Sequence, residues 1–107
     1  GGETWVFPGA EAMAAARHLP ALRRAIRVRE TLQITYRDAD AVLSERRVRP
    51  LVLEFWGRVW TLASWCETRR DYRSFRVDRL QTVQPTGAAF RDEAGRDLAG
   101  WRAVTAS

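Results

Sequence analysis

Lysine is absent from this chain of 107 residues, in which all 18 basic residues are arginine and 13 residues are acidic. Cysteine and histidine occur once each, as Cys66 and His18. A disulfide needs two thiols, and a zinc site needs three or four ligands of this kind, so we expect neither, and no cofactor. A lone thiol is also typical of a reducing, cytoplasmic setting.

Long hydrophobic runs are missing as well. No apolar stretch approaches the roughly 20 residues of a membrane-spanning helix, so we expect no membrane association. The N-terminus carries Glu3 and lacks the basic segment that begins a signal peptide. Because the chain begins with Gly1-Gly2 rather than methionine, we expect it to be part of a longer protein whose other domains are missing.

Catalytic motifs are equally scarce. Ser64 has no histidine nearby in the sequence and no glycine spacing of a nucleophile turn. Asp38 and Asp40 lack the spacing of a calcium loop, and turn formation explains them. No phosphate-binding loop is present. We therefore predict that the chain is not an enzyme and has no catalytic or metal-binding residues.

The pattern of apolar residues changes once along the chain. Ala10 to Arg17 favours a helix, and Pro20 suits the first turn of a second one. From Thr31 the apolar residues alternate with polar ones, which predicts strands at about 31–36, 45–55, 59–66, 72–77 and 81–83. A bulge, a bend or an edge position is expected at Pro50, and Pro85-Thr86-Gly87 is expected to end the last strand. A short helix is predicted around 98–104.

This order predicts a fold that is mainly β, with N-terminal helices and about five short antiparallel strands. Such a pattern fits a small β-barrel. The length allows one domain with a hydrophobic core of its own, since 46% of the residues are hydrophobic.

Positive charge is concentrated in the middle of the chain. Residues 17–37 contain six arginines and one acidic residue, and residues 45–79 contain nine arginines and five acidic residues. The ends are neutral or acidic. This distribution predicts a basic patch, whose guanidinium groups suit phosphate oxygens as planar, bidentate donors.

Four segments resemble the WYL domain family. The strand of residues 57–66 contains Trp60-Thr61-Leu62, and residues 73–80, Arg-Ser-Phe-Arg-Val-Asp-Arg-Leu, are similar to the family's R-x-F-R-x-D-R-[IL] motif. Residues 34–36 and 47–51 resemble its first two strands. The resemblance covers about Leu22 to Val83. Thr61 stands where the family has its name-giving tyrosine, which puts the family's mode of ligand binding in question at this position.

The resemblance implies a five-stranded Sm-like β-barrel with a leading helix. It divides the chain into an N-terminal extension (1–19), the WYL domain (20–84) and a C-terminal tail (85–107). WYL domains follow an N-terminal helix-turn-helix domain in bacterial transcription regulators that commonly dimerise. They are thought to sense nucleic-acid or nucleotide-like effectors. We accordingly expect single-stranded DNA, RNA or a nucleotide as effector, a missing DNA-binding domain and a homodimer.

The candidate ligand-binding residues are the arginines of the later strands and one tyrosine: Tyr36, Arg47, Arg49, Arg69, Arg73, Arg76 and Arg79. Arg47 and Arg49 lie two apart on a strand and so point to the same side, whereas Arg73 and Arg76 should point to opposite sides. The alternative is a solvated face with local ion pairs, such as Arg79 with Asp78 or Asp71 and Arg46 with Glu45. Tyr36 is predicted either to contact a base or phosphate or to lie at the rim of the core.

Trp60, Leu62, Phe75 and Leu80 are assigned to the core, and Cys66 is assigned as a small buried residue. Trp56 and Trp65 lie off that face or near a turn, and each is either a stacking platform or part of a dimer contact. A second function stays open, an interaction or dimerisation module without a small ligand. Its apolar surface would come from Trp5, Phe7, Trp56 and Trp101.

Overall fold

The computed structural model describes residues 9–106. Trp5 and Phe7, considered above for self-association, lie outside the described residues. Helix α1 spans Ala10–Ala16 and helix α2 spans Leu19–Val28, with Pro20 in its first turn as predicted. Helix α2 ends at Arg29, whose φ of 53° reverses the chain direction into the first strand.

Five strands follow, and a third helix ends the described chain. The strands are β1 (Glu30–Arg37), β2 (Leu43–Phe55), β3 (Trp60–Cys66), β4 (Asp71–Arg76) and β5 (Leu80–Ala89), and helix α3 spans Leu98–Thr105. The predicted elements are all present. The predicted end of the last strand was wrong, because β5 continues through Pro85 to Ala89. A register shift between Glu30 and Leu32 of the neighbouring strand, with Gly87 at a φ of 81°, accommodates this stretch.

All five strands form one antiparallel sheet in the order β4-β3-β2-β1-β5. The closed barrel that we expected is not formed, because no hydrogen-bonded ladder joins the edge strands β4 and β5 within residues 9–106. The sheet is nevertheless strongly curled. Only a 3-10 turn, Val77–Arg79, connects the edge strands β4 and β5. The four residue steps from the end of β4 to the start of β5 span at most about 14 Å. The outer strands of a flat five-stranded sheet would lie roughly 19 Å apart, so the sheet has to curl to bring them within reach.

The curl is assisted by an irregularity in β2. Its register against β3 shifts between Pro50 and Val52, which confirms the predicted bulge at this proline. A bulge of this kind increases the local twist and bends the strand. The 13-residue strand β2 can therefore pair with β1 along its first half and with β3 along its second half.

The two faces of the sheet have different coverings. The inner face packs its buried side chains against α1 and α2 to form the core, which includes Leu22 of α2 with Leu32, Val48, Leu62 and Cys66 of the strands. Of the predicted core residues, Leu62, Phe75, Leu80 and Cys66 are buried, and Trp60 packs against the core while partly exposed.

The outer face is covered by the C-terminal tail. The hydroxyl of Tyr72 on β4 donates a hydrogen bond to the carbonyl oxygen of Asp97 (2.8 Å). The Tyr72 ring lies between the rings of Trp65 and Trp101, with centroid distances of 5.2 and 5.9 Å. The Asp97 side chain caps α3 by accepting a hydrogen bond from the amide of Gly100 (2.9 Å). The tail is therefore part of the folded domain.

Candidate functional site

The carboxylate of Asp71, at the end of the sheet where β3 turns into β4, is bound by Arg73 and lies within the electrostatic influence of Arg46 and Arg69. Arg73, two residues further along β4, donates from Nε and Nη2 to the two oxygens of Asp71 (2.9 and 3.1 Å). This fork is the main reason that the pKa of Asp71 lies below its ordinary value, and the nearby charges of Arg73, Arg46 and Arg69 lower it further. We refer to these four residues as the Asp71 cluster.

The Asp71 cluster is short of negative charge. Asp71 compensates one of three guanidinium charges, and like charges held together repel one another unless an anion lies between them. Arg46 is also incompletely bonded, because its Nη1 atom is buried and has no hydrogen-bond partner among the described residues. A buried donor without an acceptor is costly. Both features favour an added anion with several acceptor oxygens.

On the outer face, Arg47 and Arg49 extend from the same strand end and share one carboxylate. Their Nε atoms lie 3.7 and 3.4 Å from the oxygens of Glu67, which confirms that the two side chains point the same way. Arg49 also donates from Nη1 to Glu93 of the tail (2.7 Å). This contact is the main reason that the pKa of Glu93 lies below its ordinary value.

A pocket of about 520 Å³ opens beside these residues. Besides Arg47 and Arg49, its charged lining consists of Arg91 of the tail and the carboxylates Glu67, Asp92 and Glu93. The ring of Phe90 lines it too and lies 6.0 Å from the Arg49 guanidinium carbon. We call this cavity the outer pocket. Three arginines and three carboxylates line it, and one of these carboxylates, Asp92, is paired with Arg29 outside the lining.

The other predicted residues lie around the 3-10 turn. Arg76 forms a fork with Asp78 (3.1 and 2.8 Å) and lies 3.5 Å from Glu11 of α1. The hydroxyl of Tyr36 accepts a hydrogen bond from the backbone amide of Arg76 (3.3 Å). Its ring meets Phe75 edge-on. Tyr36 thus lies at the rim of the core and connects β1 to the end of β4 across the curled sheet.

The seven predicted site residues therefore fall into three groups: Arg69 with Arg73, Arg47 with Arg49, and Arg76 with Arg79 and Tyr36 near the turn. Strand alternation separates Arg73, which pairs with Ser64, from Arg76, which pairs with Thr61. The expected ion pairs of Arg79 and Arg46 do not form among the described residues. Local ion pairs instead join Asp71 to Arg73 and Asp78 to Arg76.

Sequence reasoning missed Arg46 and the tail residues of the outer pocket. Arg46 follows Glu45 and precedes Arg47, so it was treated as a member of a local ion pair. Its register partner is Ile34, which is fully buried, and this places Arg46 on the inner face. The alternation of β2 contained that signal, since the apolar residue Val48 lies two positions later and is fully buried.

Within residues 9–106, no three His, Cys, Asp or Glu side chains come close enough together to hold a metal ion. None of the helices formed by these residues has the length and hydrophobicity to span a membrane.

Comparison with known proteins agrees with this fold. The WYL domain family matches residues 17–85. Two proteins described as the DNA-binding transcriptional repressor CapW are 34% identical to the chain. The one from Stenotrophomonas maltophilia is matched over 70 residues, 64% of this chain and 23% of its own length. The one from Escherichia coli (strain KTE188) is matched over 77 residues, 71% of this chain and 25% of its own length.

A solved structure supports the same assignment. The proteasome accessory factor B/C (PafBC) of Arthrobacter aurescens superimposes on the chain with a TM-score of 0.70 and 28% sequence identity, covering 87% of this chain and 14% of the PafBC chain. The chain spans a quarter or less of the length of each of these three relatives. Because the family match covers residues 17–85, most of the chain, the chain belongs to the WYL domain family.

Proposed function

We propose that this chain is the effector-sensing domain of a bacterial transcription regulator and that it binds a nucleic-acid or nucleotide-like anion through its arginines. Membership of the WYL family and the similarity to proteins described as DNA-binding transcriptional repressors support the regulatory role. The proposal includes an N-terminal DNA-binding domain, a homodimer, an Sm-like arrangement of the curled sheet and a cytoplasmic setting.

The observation that carries the ligand class is the charge deficit of the Asp71 cluster. Three guanidinium groups act on one carboxylate, and the buried Nη1 of Arg46 has no acceptor in the described chain. A phosphate group supplies several strong acceptor oxygens and negative charge in one small unit. Its charge would reduce the repulsion among Arg46, Arg69 and Arg73.

The outer pocket offers a second contact for an extended ligand. Arg46 and Arg47 are neighbours on β2 and point to opposite faces, so the Asp71 cluster and the outer pocket meet at the same strand end. The backbone of Arg47 accepts from the amide of Glu67 and donates to the hydroxyl of Thr68, which holds the β3–β4 turn against this end. A short oligonucleotide crossing it would contact both groups, whereas a mononucleotide would contact one.

The effector would regulate transcription by binding with different affinities to two arrangements of the dimer. An effector that binds one arrangement of the dimer more tightly shifts the population toward that arrangement, and the DNA-binding domain responds to the shift. Arg76, Arg79 and Tyr36 remain predicted contacts at the other end of β4, near the 3-10 turn.

The alternative function as an interaction module is favoured by one observation. Several large apolar side chains at strand ends and turns are more than half exposed, namely Val42, Leu43, Phe55 and Trp56. A self-associating domain would bury such residues. Sedimentation of the chain over a range of concentrations tests it, and a monomer at high concentration would contradict a dimer formed by this domain alone.

Binding of a fluorescent single-stranded oligonucleotide, followed by anisotropy at several salt concentrations, tests the ligand class. Arg46→Ala and Arg73→Ala should each weaken binding, whereas Arg58→Ala, an exposed arginine of the β2–β3 turn that removes the same charge, should change it little. The slope of log affinity against log salt should be about −0.7 per phosphate contact, and smaller in magnitude for the two cluster variants. Absence of saturable binding at low salt would disprove the proposal, as would equal losses in all three variants.

A further inference from the structure

A second pocket on the outer face has the opposite chemistry. It has a volume of about 530 Å³ and is lined by two tryptophans, one carboxylate and three hydroxyl groups: Glu54, Trp56, Thr61, Ser74, Trp101 and Thr105. None of these residues is basic, although the chain has 18 arginines. We propose that this aromatic pocket binds an organic cation, an alkylammonium or guanidinium group, at a site separate from the arginines.

The carboxylate of Glu54 is the first observation that supports a cation. Most acidic residues of the described chain form an ion pair with arginine, but Glu54 forms none with any residue in 9–106. In the strand register Thr61 of β3 lies between Glu54 of β2 and Arg76 of β4, so Arg76 is the arginine two strands away from Glu54. The guanidinium of Arg76, however, is bound by Asp78 and Glu11. Glu54 is partly buried and lines the pocket, and no arginine compensates its charge within residues 9–106.

The two indole rings are the second observation. Trp56 is 64% exposed, but its orientation is set, because Nε1 donates a hydrogen bond to the hydroxyl of Thr61 (2.8 Å). Trp101 is held from behind by the ring of Tyr72, 5.9 Å away between centroids. Two oriented indoles beside a carboxylate provide the negative ring faces and the counter-charge that recognise an alkylammonium or a stacked guanidinium.

Thr61 gives this pocket its form. The family's tyrosine ring would project from the same strand position into the space between β3 and α3, whereas threonine is short and leaves the volume open. Its hydroxyl serves as the acceptor that orients Trp56. The departure of this chain from the family motif therefore coincides with the cavity and helps to form it.

The test uses two probes, tetramethylammonium chloride and Nα-acetyl-arginine amide, each against sodium chloride of equal ionic strength. The indole N–H resonances of Trp56 and Trp101 report binding in two-dimensional NMR spectra. The first probe represents a free alkylammonium ligand and the second an arginine side chain of a protein partner, so the probe that binds more tightly identifies the source of the cation. We expect saturable shifts of both indoles with at least one probe.

Two variants and a control decide the outcome. Glu54→Gln should weaken binding about fivefold, since it removes the counter-charge. Trp56→Leu should weaken binding as judged from the Trp101 resonance. Because Trp56 is exposed, this variant should keep the fold, which circular dichroism checks. Glu45→Gln removes an exposed carboxylate at the other end of β2 and should have no effect. Absence of saturable shifts with both probes, or equal affinities of the Glu54→Gln and Glu45→Gln variants, would overturn the proposal. Oligonucleotide binding is measured separately, so either proposal can fail without the other.

Discussion

Replacing Asp71 with asparagine should tighten binding of an anionic ligand, although most substitutions in a binding site weaken it. The carboxylate of Asp71 occupies the centre of its cluster and accepts the fork of Arg73. A bound phosphate must share these guanidinium groups with the carboxylate and is repelled by it. Asparagine keeps the size of the side chain and one acceptor oxygen but removes the negative charge.

The magnitude follows from the exposure of the pair. The side chains of Asp71 and Arg73 are 48% and 46% exposed, so the dielectric between Asp71 and a ligand is close to that of water. Two unit charges about 5 Å apart in such a medium interact by an amount that changes a binding constant about fourfold. We therefore expect the Asp71→Asn variant to bind a single-stranded oligonucleotide about four times more tightly than the unsubstituted chain at low salt. The gain should shrink as salt screens the repulsion.

The assay is the anisotropy titration described above, repeated between pH 5 and 8. Because the pKa of Asp71 is lowered by Arg73, the carboxylate stays ionised over this range and the gain should not depend on pH. Asp40→Asn, an exposed residue of the β1–β2 turn, is the matched control for net charge. If Asp71→Asn binds no more tightly than Asp40→Asn, the carboxylate does not compete with the ligand and the reasoning is wrong.

Three further predictions concern the fold that holds these sites. Leu22→Ala should lower the free energy of unfolding by about 2–5 kcal/mol in denaturant titrations, since Leu22 is 0% exposed; a change below about 1 kcal/mol would show that this position is not packed as described. Tyr72→Phe should cost about 1 kcal/mol and increase amide exchange in α3, because it removes the hydrogen bond to Asp97, and unchanged exchange in α3 would contradict this anchoring. His18 should make stability fall as the pH decreases below its ordinary pKa near 6.5. Its pKa is lowered by burial and by Arg17, against a raising effect of the hydrogen bond to Leu80, so the unfolded chain takes up the proton first. If the free energy of unfolding of the His18→Gln variant fell between pH 7 and 5 with the same slope as that of the unsubstituted chain, this prediction would be refuted.

Much of the fold was predictable because its elements follow from local chemistry. Apolar alternation from Thr31 onward predicted the strands, and Pro50 predicted the bulge in β2. The end of β5 was not predictable from Pro85 and Gly87, since both residues usually interrupt a strand, yet here they lie in an irregular edge that only pairing with β1 maintains. The prediction of a closed barrel was wrong because closure depends on the curvature of the whole sheet, which no single segment of the sequence specifies.

The candidate site also has features that the sequence predicted and features that depended on the tertiary structure. The alternation of strand residues predicted that Arg47 and Arg49 point to the same side and that Arg73 and Arg76 point to opposite sides, and both orientations were confirmed. The role of Arg46 depended on the register between β1 and β2. The part played by Glu93 depended on the tail folding back across the outer face. Contacts between residues 44 positions apart leave no trace in local patterning.

By itself the sequence determined the family, the order and type of nearly all the elements, and the excess of arginine in the centre of the chain. These properties depend on residue types and on short spacings between residues, because hydrophobic periodicity and backbone preferences determine local structure. Only the tertiary structure decided which arginines meet and which carboxylates neutralise them, and that Glu54 faces two tryptophans without a basic partner. Charges act through space, so their balance is settled by strand register and by the path of the tail rather than by their order along the chain.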